Sequence, residues 1–211
     1  MEISVKQAAA FLLGCDGYLI YTHANPDGDT IGSATALALA LRKLGKKANI
    51  FSVDGIPEKL SFLPTEDLFL ADEPENLNEY TLVSVDVAGP KMLIGAKNTS
   101  FALSIDHHKV NSIDCKSLLV MSDRIACGEI IFLIMDELGV NIDKAIAECL
   151  YTAISSDSGG FRYDATKPET HIMAAKCLGF VRNIIFASEF GASELTDIYF
   201  QVFGIATFLF T

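Results

Sequence analysis

The first half of the chain alternates between short apolar runs and polar turns. Tyr18 to His23 (Tyr-Leu-Ile-Tyr-Thr-His) is apolar and β-prone, which predicts a short buried strand. The Ala- and Leu-rich run from Ile31 to Leu44 has helical length, with Arg42 and Lys43 suited to its last turn and Gly45 to its stop. Lys47 to Val53 returns to an apolar run of strand length, so the polar turn Ala24 to Thr30 sits inside a βαβ unit. Two further apolar runs, Thr81 to Asp86 and Phe101 to Asp106, each end in an acidic residue. Beyond them Ile125 to Leu138 and Ile142 to Ser155 read as helices separated by Gly139, with Asn141 as a cap. Lys167 to Leu178 reads as another, with Pro168 in its first turn and Gly179 at its stop.

These elements predict an α/β fold: a parallel sheet flanked by helices. Ligands of open α/β sheets bind outside the carboxyl ends of the strands, so His23, Asp86 and Asp106 are expected on one rim. Residues 1–179 are expected to form one catalytic domain. From Phe180 to Thr211 the chain turns apolar and aromatic with few caps, which suits either a helical tail or the start of a truncated linker or second domain.

Composition narrows the function. Half of the 211 residues are hydrophobic and 20% are charged, the balance of a folded globular chain. The formal net charge of -11 excludes broad capture of a long nucleic-acid backbone and favours a small or very short substrate. Part of that charge suits carboxylates gathered around divalent cations. The five cysteines include no C-x-x-C pair, so neither a disulfide framework nor a structural zinc site is indicated and a reducing, cytoplasmic setting is expected. Leu12-Leu13-Gly14-Cys15 has the outline of a lipoprotein cleavage site, but Glu2 precedes it and the apolar run is short. No apolar run reaches the ~18 to 20 residues of a membrane helix, and none is expected to cross a membrane.

The segment His23-Ala24-Asn25-Pro26-Asp27-Gly28-Asp29 gathers an imidazole and two carboxylates on a strand-to-helix turn. With Gly28 between them, Asp27 and Asp29 can face two neighbouring cations; either can equally cap the following helix. Asp106-His107-His108 supplies nitrogen ligands and an acidic group able to orient a ring. Asp86 closes an apolar strand, where a buried carboxylate is costly unless paired or metal-bound. Asp157 precedes Ser158-Gly159-Gly160-Phe161-Arg162, whose glycines permit close backbone approach to a phosphate and whose arginine can pair with it. The remaining histidine, His171, sits in a helical stretch and reads as a surface or packing residue.

Taken together these residues resemble the DHH phosphoesterases, named for the triplet found here at Asp106 to His108. The motifs appear in order: His23 to Asp29 followed by Thr30-Ile31-Gly32-Ser33, the strand-end Asp86, the triplet, and Asp157 before Gly159-Gly160-Phe161-Arg162. The resemblance runs from about residue 5 to residue 178. It implies two metal ions per chain, manganese as the usual cation with magnesium or cobalt as alternatives. One would be held by His23, Asp27 and Asp86, the other by Asp29, Asp86, His107 and Asp157. It further implies that His108 contacts the scissile phosphate, that Asp106 orients a neighbouring histidine, and that a metal-activated water attacks phosphorus.

Within the family the motifs look like those of small bacterial oligoribonucleases that also dephosphorylate 3′-phosphoadenosine 5′-phosphate. Cyclic-dinucleotide phosphodiesterases share them; family II type pyrophosphatases share the triplet and fit the first motif less well. The Gly-Gly-His type of segment of the family's second, substrate-binding domain does not occur, so that domain is expected to be absent or truncated. A non-catalytic, metal-binding remnant is the competing reading, and homodimerisation is left open.

Overall fold

The computed structural model describes residues 1–190, with side-chain surroundings through residue 179. A capped helix α1 (Val5–Gly14) leads into β1 (Tyr18–Tyr21), α2 (Gly28–Lys43), β2 (Ala48–Phe51), β3 (Thr81–Val85), β4 (Ser100–Asp106), β5 (Asp114–Val120), α3 (Cys127–Leu138), α4 (Lys144–Asp157) and α5 (Pro168–Phe190). The strands form one sheet in the order β2-β1-β3-β4-β5. Every pair is parallel. The chain leaves β1 in opposite directions, first to β2 and then to β3, and this reversal opens a crevice between the ends of β1 and β3.

Side chains of β1 alternate between two cores, as a pleated strand buried on both faces requires. Tyr18 and Ile20 join a large cluster to which all five α-helices contribute. Leu19 and Tyr21 join a smaller cluster with Phe51, Val87, Leu93, Phe101 and Ile113 under the loops of the opposite face. The helices therefore lie on one face, and connecting segments with short 3-10 turns cover the other.

Several boundaries differ from those expected. Strand β5 has only the short apolar run Leu118 to Val120; its first half, Asp-Cys-Lys-Ser, is that of an edge strand, with Asp114 and Lys116 exposed. The N-terminal residues cover its outer side, Ile3 N–H donating to Leu118 O at 2.9 Å and Leu118 N–H to Met1 O at 2.9 Å. Asp143, not Asn141, caps α4, accepting from Ile146 N–H at 3.1 Å while pairing with Lys43 at 2.7 Å. Helix α5 runs through Gly179 to Phe190, because a single glycine costs a helix only about 1 kcal/mol. The rest of the predicted tail, residues 191–211, lies outside the described residues. Leu12 is fully buried inside α1, and all five cysteines are free thiols. Among the described residues no helix is long and apolar enough to cross a membrane.

Two close helix contacts set up the site. An added Cβ at Gly32 of α2 would lie 2.5 Å from the Cys149 carbonyl oxygen of α4, and one at Gly128 of α3 would lie 2.6 Å from Ala153 Cβ. Only residues without a Cβ allow this approach. It brings the first turn of α2 beside the last turn of α4.

Candidate metal centre

Three strand ends and two helix ends converge at the crevice. His23 follows β1, Asp86 follows β3, and Asp106-His107-His108 ends β4, while Asp27 and Asp29 stand at the start of α2 and Asp157 ends α4. Asp27 is the N-cap of α2, its Oδ1 accepting from the N–H groups of Asp29 at 2.9 Å and Thr30 at 3.1 Å. Asp86 holds a left-handed backbone, φ 61°, in which non-glycine residues are strained. Asp157 sits where the helix dipole disfavours negative charge, so helix stability does not account for it.

Asp86 is the hub. Its Oδ2 lies 3.4 Å from His23 Nε2, and its Oδ1 lies 3.5 Å from His107 Nε2 and 3.6 Å from His108 Nδ1. His23 Nε2 is also 3.9 Å from Asp27 Oδ1. His107 Nε2 is 3.3 Å from Asp157 Oδ2 and 3.8 Å from Asp29 Oδ2. Asp86 is 2% exposed, and its Oδ1 has no hydrogen-bond partner within the described residues.

Each charged group of the cluster shifts its neighbours. Burial alone would raise the Asp86 carboxyl, but the imidazoles of His107 and His23 outweigh it and hold it below its ordinary value. Burial opposes a charged His23, yet Asp86 and the Ala24 carbonyl raise it to about 9. His107 is pushed the same way, against burial, by Asp157, Asp86 and Asp29, to about 11. Asp29, fully buried beside Asp86 and Asp157, is driven well above the usual carboxylate range.

The donors fit divalent cations. His23, Asp27 and Asp86 form one group whose ligand atoms lie within 4.8 Å of one another; Asp29, His107 and Asp157 form a second; Asp86, His107 and His108 form a third. Carboxylate oxygens with imidazole nitrogens suit manganese, magnesium or cobalt, and a buried, unpartnered Asp86 oxygen between the groups is what a shared ligand would present.

An outer layer orients these side chains. His23 Nδ1 is 2.8 Å from the Ala24 carbonyl and His107 Nδ1 is 3.4 Å from the Arg124 carbonyl, contacts that turn each Nε2 toward the carboxylates. Asp106 is fully buried and bonds His108 Nδ1 at 2.7 Å, Asn111 Nδ2 at 2.7 Å and His107 N–H at 2.9 Å. Ser33 Oγ donates to Asp29 Oδ1 at 2.9 Å. Ser33 belongs to a motif segment, whereas Asn111 and the two carbonyls carried no signal in the sequence.

Gly159 and Gly160 form a left-handed turn with φ 59° and 67°. Their N–H groups donate to Ser156 and Ser155 carbonyls, at 3.1 and 2.8 Å, so the glycines close the end of α4. Arg162 is exposed, and its Nε donates to the Gly159 carbonyl at 2.7 Å. His171 is exposed and packs its ring 5.4 Å from that of Phe161.

The chain is similar to several known proteins. The bifunctional oligoribonuclease and PAP phosphatase NrnA of Thermus thermophilus is 38% identical over 193 residues, covering 88% of this chain and 56% of that protein. A probable manganese-dependent inorganic pyrophosphatase of Streptococcus mutans is 28% identical over 154 residues, 66% of this chain and 47% of its own length. The chain thus spans about half the length of the curated relatives it matches. The crystal structure of an exopolyphosphatase-related protein from Bacteroides fragilis shares the fold, with a TM-score of 0.71, 21% identity and coverage of 90% of this chain and 61% of that one. Residues 18–154 match the DHH family, N-terminal domain, a span that runs from β1 into α4 and contains every strand of the sheet. This chain belongs to the DHH family.

Proposed function

We infer that the chain is the catalytic part of a metal-dependent phosphoesterase acting on short oligoribonucleotides and on 3′-phosphoadenosine 5′-phosphate in the cytoplasm. The observation that carries this reading is Asp86: a buried carboxylate with a free oxygen, set on a strained backbone between His23 and His107. His23, Asp27 and Asp86 would hold one cation and Asp29, Asp86, His107 and Asp157 the other. Manganese is favoured by the donor set and by the manganese dependence in the name of the pyrophosphatase relative. Such a pair supplies Lewis acidity to phosphate oxygens and lowers the pKa of water at neutral pH.

The protein's own groups do the positioning. His23 and His107 are aimed by the Ala24 and Arg124 carbonyls, so neither ring must reorient to meet a cation. His108, the most exposed of the three histidines of the centre at 41% of its side chain, is held through Nδ1 by Asp106. That bond raises its pKa and leaves Nε2 to donate to a phosphate oxygen or to a leaving group. Arg162, on the exposed turn after Asp157, offers a guanidinium for a second phosphate.

The nucleotide preference follows the relationship to NrnA, and pyrophosphate hydrolysis is the second reading because the Streptococcus relative bears that description. Incubation with Mn2+ and, in parallel, a dinucleotide, 3′-phosphoadenosine 5′-phosphate and pyrophosphate tests both. Release from the first two above that of an Asp86→Asn control is expected. Turnover of pyrophosphate alone selects the second reading, and no release from any of the three leaves a non-catalytic metal-binding domain.

A further inference from the structure

The loop between β5 and α3, residues 121–126, is tied to His107 through its backbone. Met121 N–H donates to the Asp106 carbonyl at 3.1 Å, Arg124 N–H donates to the Met121 carbonyl at 3.0 Å, and the Arg124 carbonyl lies 3.4 Å from His107 Nδ1. From its other side the loop is held by Glu129, in the first turn of α3. Glu129 Oε2 accepts from Ile125 N–H at 3.4 Å and stands 3.9 Å from a guanidinium nitrogen of Arg124. Helix capping does not account for this side chain. An acidic residue in a first turn suits the helix dipole at the surface, yet Glu129 is only 1% exposed. Asp29 already satisfies the Cys127 and Gly128 amides. A glutamate at this position ordinarily reaches back to the N-cap N–H, here that of Ala126, whereas Glu129 reaches one residue further. Its Oε1 has no partner among the described residues, and neither has Arg124 Nε. A buried carboxylate with a free oxygen is costly, and an apolar side chain of similar length would avoid that cost.

We propose that Glu129 is a positioning residue for His107: by holding Ile125 N–H and the Arg124 guanidinium, it fixes the loop whose Arg124 carbonyl turns the His107 ring toward Asp86 and Asp157. Groups that orient a ligating imidazole through its other nitrogen set how well it meets a cation. His23 does not depend on this loop, because the Ala24 carbonyl orients it. A loosened loop therefore weakens the cation assigned to Asp29, Asp86, His107 and Asp157 and spares the one assigned to His23, Asp27 and Asp86. The role rests on the reading of His107 as a metal ligand and holds whichever phosphoester is cleaved.

The test is stepwise Mn2+ binding to the full chain, followed by electron paramagnetic resonance, which distinguishes a coupled pair of ions from a single one. Glu129→Met, of similar length and without an acceptor, is expected to keep one Mn2+ at the parent's affinity and to bind the other about tenfold more weakly, with loss of the coupled signal. Glu129→Asp keeps the charge but lacks the reach to Ile125; it is expected to show the same selective loss, and it carries the test if Glu129→Met does not fold. Glu129→Gln, which retains an accepting oxygen, is expected to restore most of the affinity. Leu41→Ala, a cavity at a fully buried position in the last turn of α2, is expected to lower stability and leave both binding steps as in the parent. Parent-like binding of both ions by Glu129→Met or Glu129→Asp overturns the role. Equal weakening of both ions also overturns it and assigns Glu129 to general stability. In either case a parent that binds two Mn2+ leaves the metal centre standing, and a parent that binds none overturns both readings.

Discussion

Asp29 Oδ2 lies 2.6 Å from the backbone nitrogen of Cys127, 98 residues away in the chain. Asp29 Oδ1 accepts from Gly128 N–H at 2.9 Å, and the residue at the N-cap position of α3 is Ala126, which has no side chain able to cap. One carboxylate thus caps a remote helix and faces the metal centre. Asp29→Asn retains one accepting oxygen and turns an NH2 group toward the other amide. With one buried N–H unsatisfied, urea unfolding of the metal-free variant is expected to show a loss of about 1 to 3 kcal/mol, together with weakened Mn2+ binding. Unchanged stability would show that the carboxylate does not hold α3.

Asp157 makes the opposite case. It ends α4 with a quarter of its side chain exposed, where the helix dipole opposes its charge, and its partner is His107 at 3.3 Å. In the metal-free protein the lost ion pair and the relieved dipole nearly cancel, so Asp157→Asn is expected to unfold within about 1 kcal/mol of the parent. Mn2+ affinity is nevertheless expected to fall by about tenfold or more. Isothermal titration beside urea unfolding separates the two quantities, and a stability loss as large as that of Asp29→Asn would assign Asp157 a structural role instead.

Metal binding is expected to release protons. Facing carboxylates raise the pKa of His23 to about 9 and that of His107 to about 11. Raised values of this kind stabilise the metal-free fold fully below the unfolded pKa of about 6.5 and lose that contribution as pH rises through about 9 and then about 11. A ligating imidazole must be neutral, so at pH 8 Mn2+ displaces about two protons from His23 and His107 together, besides any held by Asp29, where unperturbed histidines would release almost none. Calorimetry in buffers of different ionisation enthalpy counts them. Release of well under one proton would mean that His23 and His107 do not ligate.

The site was legible because its side chains stand at the ends of elements that the hydrophobic pattern marks. Asp86 follows one apolar strand and Asp106 ends another, and Asp27 and Asp29 flank the start of a helix in which Gly28 and Gly32 stand at helical spacing. The residues that aim the site were not legible. The Ala24 and Arg124 carbonyls belong to the backbone, and Asn111 looks like any loop residue until Asp106 is found 2.7 Å away. Strand β5 escaped because an edge strand covered by the N-terminus needs little apolar character. Gly179 misled because a lone glycine costs a helix only about 1 kcal/mol and does not by itself stop one.

Gly32 links packing to the site most directly. On an exposed helix Gly→Ala stabilises by about 1 kcal/mol through backbone entropy. At Gly32 the new Cβ would meet the Cys149 carbonyl oxygen at 2.5 Å and Ala153 Cβ at 3.1 Å, and a backbone oxygen cannot swing aside as a side chain can. The helices α2 and α4 must separate, an overpacking cost of about 1 to 3 kcal/mol that outweighs the propensity gain. Asp29 and Asp157, carried by those two helices, then move apart although neither has been altered. Gly32→Ala is therefore expected to unfold at lower urea than the parent and to bind Mn2+ less tightly. Gly14→Ala, where an added Cβ meets nothing within 4 Å, is expected to keep Mn2+ binding and to match or exceed the parent's stability. Equal behaviour of the two variants in both measurements would disprove the dependence of the metal centre on the α2–α4 contact.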